Sequence, residues 1–499
     1  MLQQGGYRTL AELCEARAAT HGDRVAVRDD AVALTYAELA RAAGAVASYL
    51  RARGVRRADR VLVQGRNRVD WVVAAYGVLL AGATVVPLDH RVPLAERRRL
   101  VDELRPRLAL LEDEAPGLPD GAVPSVRLSV LAGLPATRRR PAEGVLAEPD
   151  DPALVICTSG TSGRVKAVPM THRQLLRLYD DVRVALDARV DDVWACIVPL
   201  THSFGFNGVL LVAQLAGATV RLVPDYAPGR FAALLAREPV SVLAGPLTIY
   251  RDLADAGPGS AAGVRLAIVG STEVSATEMA RLGRSLGVAR MATGYGMTET
   301  CGTVAIGDLP AAPTDPVPLM ALMPGVEARV CDELGAVLPA GERGRIQVRG
   351  YNVCRPCADA PGLLPDGWLD TGDVGELEPD GRLAITGRAD DLLNLAGFTV
   401  HPREVESALR EHEAVAAAAV VAVRDRRHGQ RLVGCVVASA PSRPPREEEL
   451  VAFLRTRLSP YKVPGRIMLL DRLPTSATGK VSRAALRRSL EAEAVPGAC

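Results

Sequence analysis

The sequence predicts an α/β protein, with a large N-terminal domain of α/β layers with mostly parallel sheets and a small α+β C-terminal domain. Three observations carry this expectation. The chain has 499 residues, more than one compact domain usually holds. From residue 1 to 387, helix-like and strand-like segments alternate, which is the rhythm of stacked α/β layers. From residue 388 to 499 the pattern becomes shorter and changes to α+β, as at the start of a second domain.

Thr9-Leu10-Ala11-Glu12 and Thr35-Tyr36-Ala37-Glu38 are capping boxes, each opening a helix. The second helix presents Leu39, Ala42, Val46 and Leu50 on one face, and Gly54 follows its end. Strands follow at Arg60–Val63 and Ala83–Leu88, with a helix at Trp71–Leu80 between them. Ala153–Cys157, Val240–Leu243 and Val264–Val269 are further apolar strands. The stretch Pro135–Asp151, with its prolines and arginines, is a surface loop. In the second domain we expect helices at Pro402–Arg410, at Arg446–Leu458 and from Ser482, and strands at Ala416–Val423 and Leu432–Ala438.

Composition removes several classes of function. Apolar residues make up 48%, and no uninterrupted apolar stretch reaches the roughly 20 residues that a bilayer span needs. With 60 basic and 58 acidic residues, net charge +2, there is no global field to hold nucleic acid. Arg97–Arg99 and Arg138–Arg140 are read as solvated faces or loops. The start, Met1-Leu2-Gln3-Gln4-Gly5, lacks the charged and apolar regions of a signal peptide. Nine scattered cysteines fit reduced thiols. A cytoplasmic enzyme is therefore expected, with neither membrane nor nucleic acid as partner. Cys354 and Cys357 form a CxxC without a second pair at ligand spacing, so neither zinc nor redox chemistry is expected. His412-Glu413 lacks the second histidine of a HExxH site, and no Gly-x-Ser-x-Gly elbow is present. His90, His401 and His428 are read as surface or core histidines.

One run points to phosphate chemistry. The strand Ala153–Cys157 leads into Thr158-Ser159-Gly160-Thr161-Ser162-Gly163-Arg164-Val165-Lys166. Glycines let backbone N–H groups approach an anion, hydroxyls add donors, and the lysine adds a point charge. The Gly-Lys-Ser/Thr ending of a Walker A loop is absent. From these residues alone, a polyphosphate loop and a flexible Ser/Gly loop are both open.

The run resembles the phosphate loop of the adenylate-forming superfamily, which includes acyl-CoA synthetases, aryl-CoA ligases, adenylation domains and luciferases. The usual form is Thr-Ser-Gly-Thr-Thr-Gly-x-Pro-Lys-Gly; here Ser162, Val165 and Ala167 replace Thr, Pro and Gly. Further segments are similar to the family's motifs, in its order. They are Pro199–Gly205, Gly294-Tyr295-Gly296-Met297-Thr298-Glu299, Gly367–Asp373, Gly387–Asp391 and Pro474–Lys480.

The resemblance implies that ATP activates a carboxylic acid as an acyl-AMP, with release of pyrophosphate, and that the acyl group then passes to a thiol. It implies that Glu299 holds Mg²⁺, a hard cation that prefers oxygen ligands. Thr298 donates to the α-phosphate, and Tyr295 packs on the adenine. Asp373 accepts from both ribose hydroxyls and Arg388 donates to the ribose. Gly270-Ser271-Thr272 lines the adenine site. Lys480 sits between the carboxylate and the α-phosphate, where two anions meet and cation supply sets the barrier. The C-terminal domain is implied to be mobile about a hinge at Asp390, with Gly397–Val400 facing the site after rotation.

His202, in the pocket motif, is expected to line or gate the acid pocket. Family members that adenylate amino acids carry an Asp there to pair the α-ammonium, whereas this chain has Thr201 and His202. An unpaired buried ammonium costs several kcal/mol, so an aryl or acyl acid without an α-amine is expected. Coenzyme A is the leading acceptor. A carrier-protein phosphopantetheine presents the same thiol, and transfer to an amine in secondary metabolism, or activation of an unusual small acid, stays open. A catalytically dead binding protein and a luciferase-like monooxygenase are the readings from other classes; retention of Lys480, Glu299 and Asp373 argues against the first.

Overall fold

The structure is a computed structural model. It describes residues 6–92, 94–114, 118, 123–134, 147–159, 165–270, 275–310, 312–313, 317–355, 362–389, 393–395, 398–400, 402–425, 429–458, 462–475 and 481–493. The chain divides into two compact units: residues 1–329, 347–371 and 378–384 form one, and residues 330–346, 372–377 and 385–499 form the other. Four strands, Val326–Cys331, Arg343–Gly350, Leu369–Leu377 and Arg382–Arg388, are each shared between the units.

The first unit contains two sheets. One has six strands, in the order Ser125–Arg127, Leu108–Leu111, Arg60–Gly65, Thr84–Asp89, Pro152–Ser159, Val165–Thr171. All its pairings are parallel except the last, which is an antiparallel hairpin. The other sheet has a parallel run of Val25–Arg28, Thr219–Leu222, Val193–Cys196, Val242–Gly245, Leu266–Val269 and Arg290–Tyr295. Antiparallel strands flank it: Ala33–Thr35 at one side, and Ala305–Leu309 then Leu319–Leu322 at the other. Strands such as Leu266–Val269 are buried at every position, as parallel strands covered on both faces must be. The helix Val69–Leu80 buries every residue except Asp70, so it lies inside the layers rather than over them.

The second unit holds the strands Val415–Asp425, Gly429–Ala438 and Arg466–Leu469 in one sheet. Successive side chains of a strand point to opposite faces. Ala418, Val420 and Ala422 pack with Val405, Leu409, Leu450 and Leu454 of the helices Pro402–Arg410 and Glu447–Arg455. Ala419, Val421 and Val423 pack with Leu486 and Leu490 of the helix Arg483–Glu493. Both faces are covered, which explains the unbroken apolar run from Val415 to Val423.

Three local expectations are corrected. At Thr35 both halves of the capping box form. At Thr9 only the hydroxyl half forms, because the Glu12 carboxylate takes the Arg8 N–H instead. The buried stripe of the helix Tyr36–Ala52 runs through Leu39, Ala43, Val46 and Leu50, whose 4-3-4 spacing follows one helix face; Ala42 is half-buried. Arg97 is not solvated but 3% exposed, with its guanidinium donating to the carbonyls of His90 (2.9 Å) and Val92 (2.6 Å). Arg98 and Arg99 are exposed. Residues 135–146, including Arg138–Arg140, lie outside the described residues, as do His401 and His428.

His172 opens the helix His172–Ala185 and is 1% exposed. Its Nδ1 accepts the N–H of Leu10 at 3.1 Å. Burial pushes the imidazole down to about 4, and Asp151 offsets this only in part. The folded pKa is below the unfolded value of about 6.5, so the unfolded chain binds the extra proton between the two. Stability from this group is therefore present above about pH 6.5 and lost as pH falls toward 4. Between pH 6.5 and 5 the loss should approach roughly 2 kcal/mol. Urea unfolding of the wild type and His172→Gln across that range is the check, and a variant with an equally steep dependence would contradict the assignment.

Candidate functional site

The hairpin at the edge of the six-stranded sheet builds the first wall of the site. In it, Thr158 pairs with Lys166 and Ser159 with Val165, so an antiparallel strand, not a helix, follows the hydroxyl- and glycine-rich run. Gly160, Thr161, Ser162 and Gly163 lie outside the described residues, and of Thr158 and Ser159 only the backbone is described. Lys166 is placed by the returning strand.

The second wall follows the strand Arg290–Tyr295. Gly294 and Gly296 are exposed, Tyr295 and Met297 half-buried. The chain then makes a tight turn, Thr298–Thr300, and passes through left-handed backbone at Cys301 (φ 58°) and Gly302 (φ 101°). The turn closes onto its own strand: a Cβ at Gly296 would lie 2.4 Å from the Gly302 carbonyl oxygen. Thr300 Oγ1 accepts the Met297 N–H and donates to the Met297 carbonyl. Thr298 and Glu299 are buried at 8% and 9% exposure.

These two walls meet. Lys166 Nζ lies 2.5 Å from Glu299 Oε1, with side chains only 18% and 12% exposed. Two residues 133 positions apart in sequence, expected from the motifs to serve one site, form a direct ion pair.

The pocket motif adds a third part. Phe204–Leu211 is a π-helix of eight residues, a rare form that is frequent at functional sites. His202 precedes it, half-buried, and its Nδ1 accepts the Phe204 N–H at 3.2 Å. The Phe204 ring lies 3.0 Å from where a Cβ on Gly270 would stand. The structure thus brings the pocket motif against the segment expected to line the adenine. Ser271 and Thr272 lie outside the described residues.

In the second unit, Arg388 Nη1 donates to Asp373 Oδ1 at 3.1 Å, and Asp373 is 8% exposed. The two residues expected at the ribose therefore hold each other. Asp390, Gly397 and Lys480 lie outside the described residues. Cys354 is buried and Cys357 is not described.

Sequence reasoning missed the residues that hold the turn. Tyr179 Oη donates to the Cys301 carbonyl at 2.9 Å, joined by Asn207 Nδ2 at 3.4 Å. Asn352 Nδ2 donates to the carbonyls of Thr303 (2.9 Å) and Thr300 (3.4 Å), and the Cys354 N–H to that of Glu299 (2.7 Å). No local motif marks them, because each acts on backbone about 50 or more positions away.

The family model "AMP-binding enzyme" matches residues 14–356, and that of the "AMP-binding enzyme C-terminal domain" matches residues 404–480. A feruloyl-CoA synthase from an Amycolatopsis species is 33% identical, covering 95% of this chain and 97% of its own. The 3-[(3aS,4S,7aS)-7a-methyl-1,5-dioxo-octahydro-1H-inden-4-yl]propanoyl:CoA ligase of Rhodococcus jostii (strain RHA1) is 32% identical over 93% of this chain and 96% of its own. The crystal structure of ATP-bound MatB from Rhodopseudomonas palustris superposes with a TM-score of 0.86 at 27% identity, covering 96% of this chain and 99% of that one. Fold and motifs define an enzyme that forms acyl-adenylates. The chain belongs to the AMP-binding enzyme family, and it is an adenylate-forming acid–thiol ligase, for which ATP and coenzyme A are the expected co-substrates.

A mostly buried carboxylate left without its cation is costly, whereas removing both partners is far less so. Lys166→Met should lower unfolding stability by about 2 kcal/mol. Adding Glu299→Gln to that variant should restore most of the loss. Urea midpoints of the four proteins, without nucleotide, give the coupling directly. A Lys166→Met protein as stable as the wild type would show that the pair contributes nothing.

Proposed function

We propose that this ligase activates an aryl or medium-sized acyl acid without an α-amine, and passes it from acyl-AMP to coenzyme A. The observation that carries the reading is the apposition of Lys166, at the base of the hydroxyl- and glycine-rich loop, with Glu299. It sets a phosphate-neutralising cation beside a metal-ligating carboxylate. Two relatives point the same way: the acids in their names are feruloyl and a fused-ring propanoyl group. Thr201 and His202 supply no carboxylate for an ammonium.

Thr158, Ser159, Gly160, Thr161, Ser162 and Gly163 cradle the triphosphate, with Lys166 neutralising it. Gly270, Ser271, Thr272, Gly294, Tyr295, Gly296 and Met297 line the adenine. Asp373 and Arg388, already paired, receive the ribose. Thr298 donates to the α-phosphate, and His202 borders the acid. Mg²⁺ is bound in such sites by one or two carboxylates together with substrate phosphates and waters, so the single carboxylate of Glu299 fits it. When bound it would shield the charge of the triphosphate. We divide the functional domains at residues 1–387 and 388–499, the second moving about Asp390 to bring Lys480 to the site for adenylation and Gly397–Val400 for thiol transfer. A cytoplasmic location belongs to the same reading; a carrier-protein phosphopantetheine, or an amine in secondary metabolism, is the alternative acceptor to coenzyme A.

A pyrophosphate-release screen over carboxylic acids, each tested beside its α-amino counterpart, tests the whole. With its acid the enzyme should yield AMP and pyrophosphate, require Mg²⁺ and disfavour the α-amino acid; CoA and a carrier protein are then offered in turn. ADP and phosphate as products would overturn the adenylation reading, and a strong preference for an amino acid would overturn the substrate class.

The Lys480 charge supports the anion that develops between carboxylate and α-phosphate. One such contact in a dry site is worth about 3–4 kcal/mol, or roughly 10²–10³ in rate. Lys480→Ala should nearly abolish acyl-AMP formation and spare thioester formation from ready-made acyl-AMP. Asp390→Pro should do the reverse, since proline fixes φ at the hinge. Equal slowing of both halves in Lys480→Ala would end the two-conformation account.

A further inference from the structure

We propose that Asn352 is a positioning residue for Glu299, and that the segment Tyr351–Cys354 sets where that carboxylate stands. The inference rests on Glu299 being the Mg²⁺ ligand, as proposed above.

The turn that carries Glu299 is not held by its own hydrogen bonds alone. Its backbone passes through two consecutive left-handed residues, Cys301 and Gly302. Its carbonyls are met from distant parts of the chain: Glu299 by the Cys354 N–H, Thr300 and Thr303 by the Asn352 carboxamide, Cys301 by Tyr179 and Asn207. Asn352 is wholly buried at 0% exposure. A carboxamide supplies two N–H donors from one atom, which is what two carbonyls, one at the end of Glu299's turn and one just beyond it, require. The space is shaped for it, since a Cβ on Gly350 would come within 2.8 Å of Asn352 Oδ1.

The segment is itself anchored. Gln174 Nε2 donates to the carbonyls of Tyr351 (2.9 Å) and Val353 (3.4 Å). The Arg177 guanidinium lies 3.7 Å over the Tyr351 ring, and Tyr351 Oη donates to Asp181. All three residues belong to the helix His172–Ala185, which directly follows the strand Val165–Thr171 that carries Lys166. One helix therefore indexes both members of the ion pair: Lys166 along the chain, and Glu299 through Gln174, the 351–354 segment and Asn352. Groups that orient a metal ligand without touching the metal commonly tune its affinity by 10- to 100-fold.

The experiment uses the full chain, Mn²⁺ as a paramagnetic probe, and α,β-methylene-ATP. Asn352→Leu removes the donors at nearly constant volume. By electron paramagnetic resonance, Mn²⁺ should bind the protein–nucleotide complex roughly 10- to 100-fold more weakly than in the wild type. Nucleotide affinity in EDTA should change little. The Mg²⁺ concentration for half-maximal pyrophosphate release should rise in parallel, with most of kcat recovered at saturating Mg²⁺. A merely structural role predicts a lower unfolding midpoint with unchanged Mn²⁺ affinity, and that result overturns the proposal. Should Asn352→Leu fail to fold, Gln174→Met carries the same test one step back, and wild-type Mn²⁺ affinity there overturns it equally. If wild-type protein binds no Mn²⁺ with nucleotide, the metal reading of Glu299 falls and takes the inference with it. If only the variants match the wild type, the inference alone falls.

Discussion

A buried carboxylate must face a positive charge, because leaving it bare in a low-dielectric interior costs several kcal/mol. In this chain Glu299 meets that requirement with Lys166. Lys166 stands on the edge hairpin of the six-stranded sheet, and Glu299 on the turn that leaves the second sheet's Arg290–Tyr295 strand. The pair thus ties two sheets of one unit at the place where the phosphate-loop motif and the family's Glu motif arrive. Any ligand that displaces the ammonium must therefore bring positive charge or draw it off with negative charge of its own.

The backbone around Glu299 is held in conformations that cost energy locally. Left-handed backbone at the non-glycine Cys301 is sparsely populated and persists only where surroundings over-determine it. Here the surroundings are Tyr179, Asn207, Asn352 and the Cys354 N–H. Gly302 carries the next left-handed position, where a Cβ would meet Tyr179 Oη at 2.4 Å. Gly296 of the motif answers to a steric demand: the strand and the turn approach too closely there for any side chain.

The two units solve packing differently. The first covers many-stranded, mostly parallel sheets with helices, one of them buried on nearly all sides. The second stretches one short sheet between helices on both faces, so its strands alternate between two cores. Within it, Asp373 and Arg388 are fixed by their mutual hydrogen bond, which keeps the buried carboxylate neutralised as Lys166 does for Glu299.

Much was legible in the sequence because it depends on short-range rules. The alternation of elements, the Thr35 capping box, the helix Pro402–Arg410 and the apolar strands all follow from residue periodicity and local hydrogen bonds. Glu299 and Lys166 were legible as members of motifs. Their pairing was not, nor was the burial of Arg97, the shift of the buried stripe from Ala42 to Ala43, or the π-helix at Phe204. Nor was the clamp of Asn352 on Thr300 and Thr303. Each of these depends on which carbonyl or side chain another segment presents, and that is set by strand register and helix packing across tens to hundreds of positions. The sequence by itself determined the elements, the family and the chemical groups of the site. The tertiary structure decided which of those groups face one another, because desolvation makes a buried polar atom's partner a matter of three-dimensional position and not of neighbourhood along the chain.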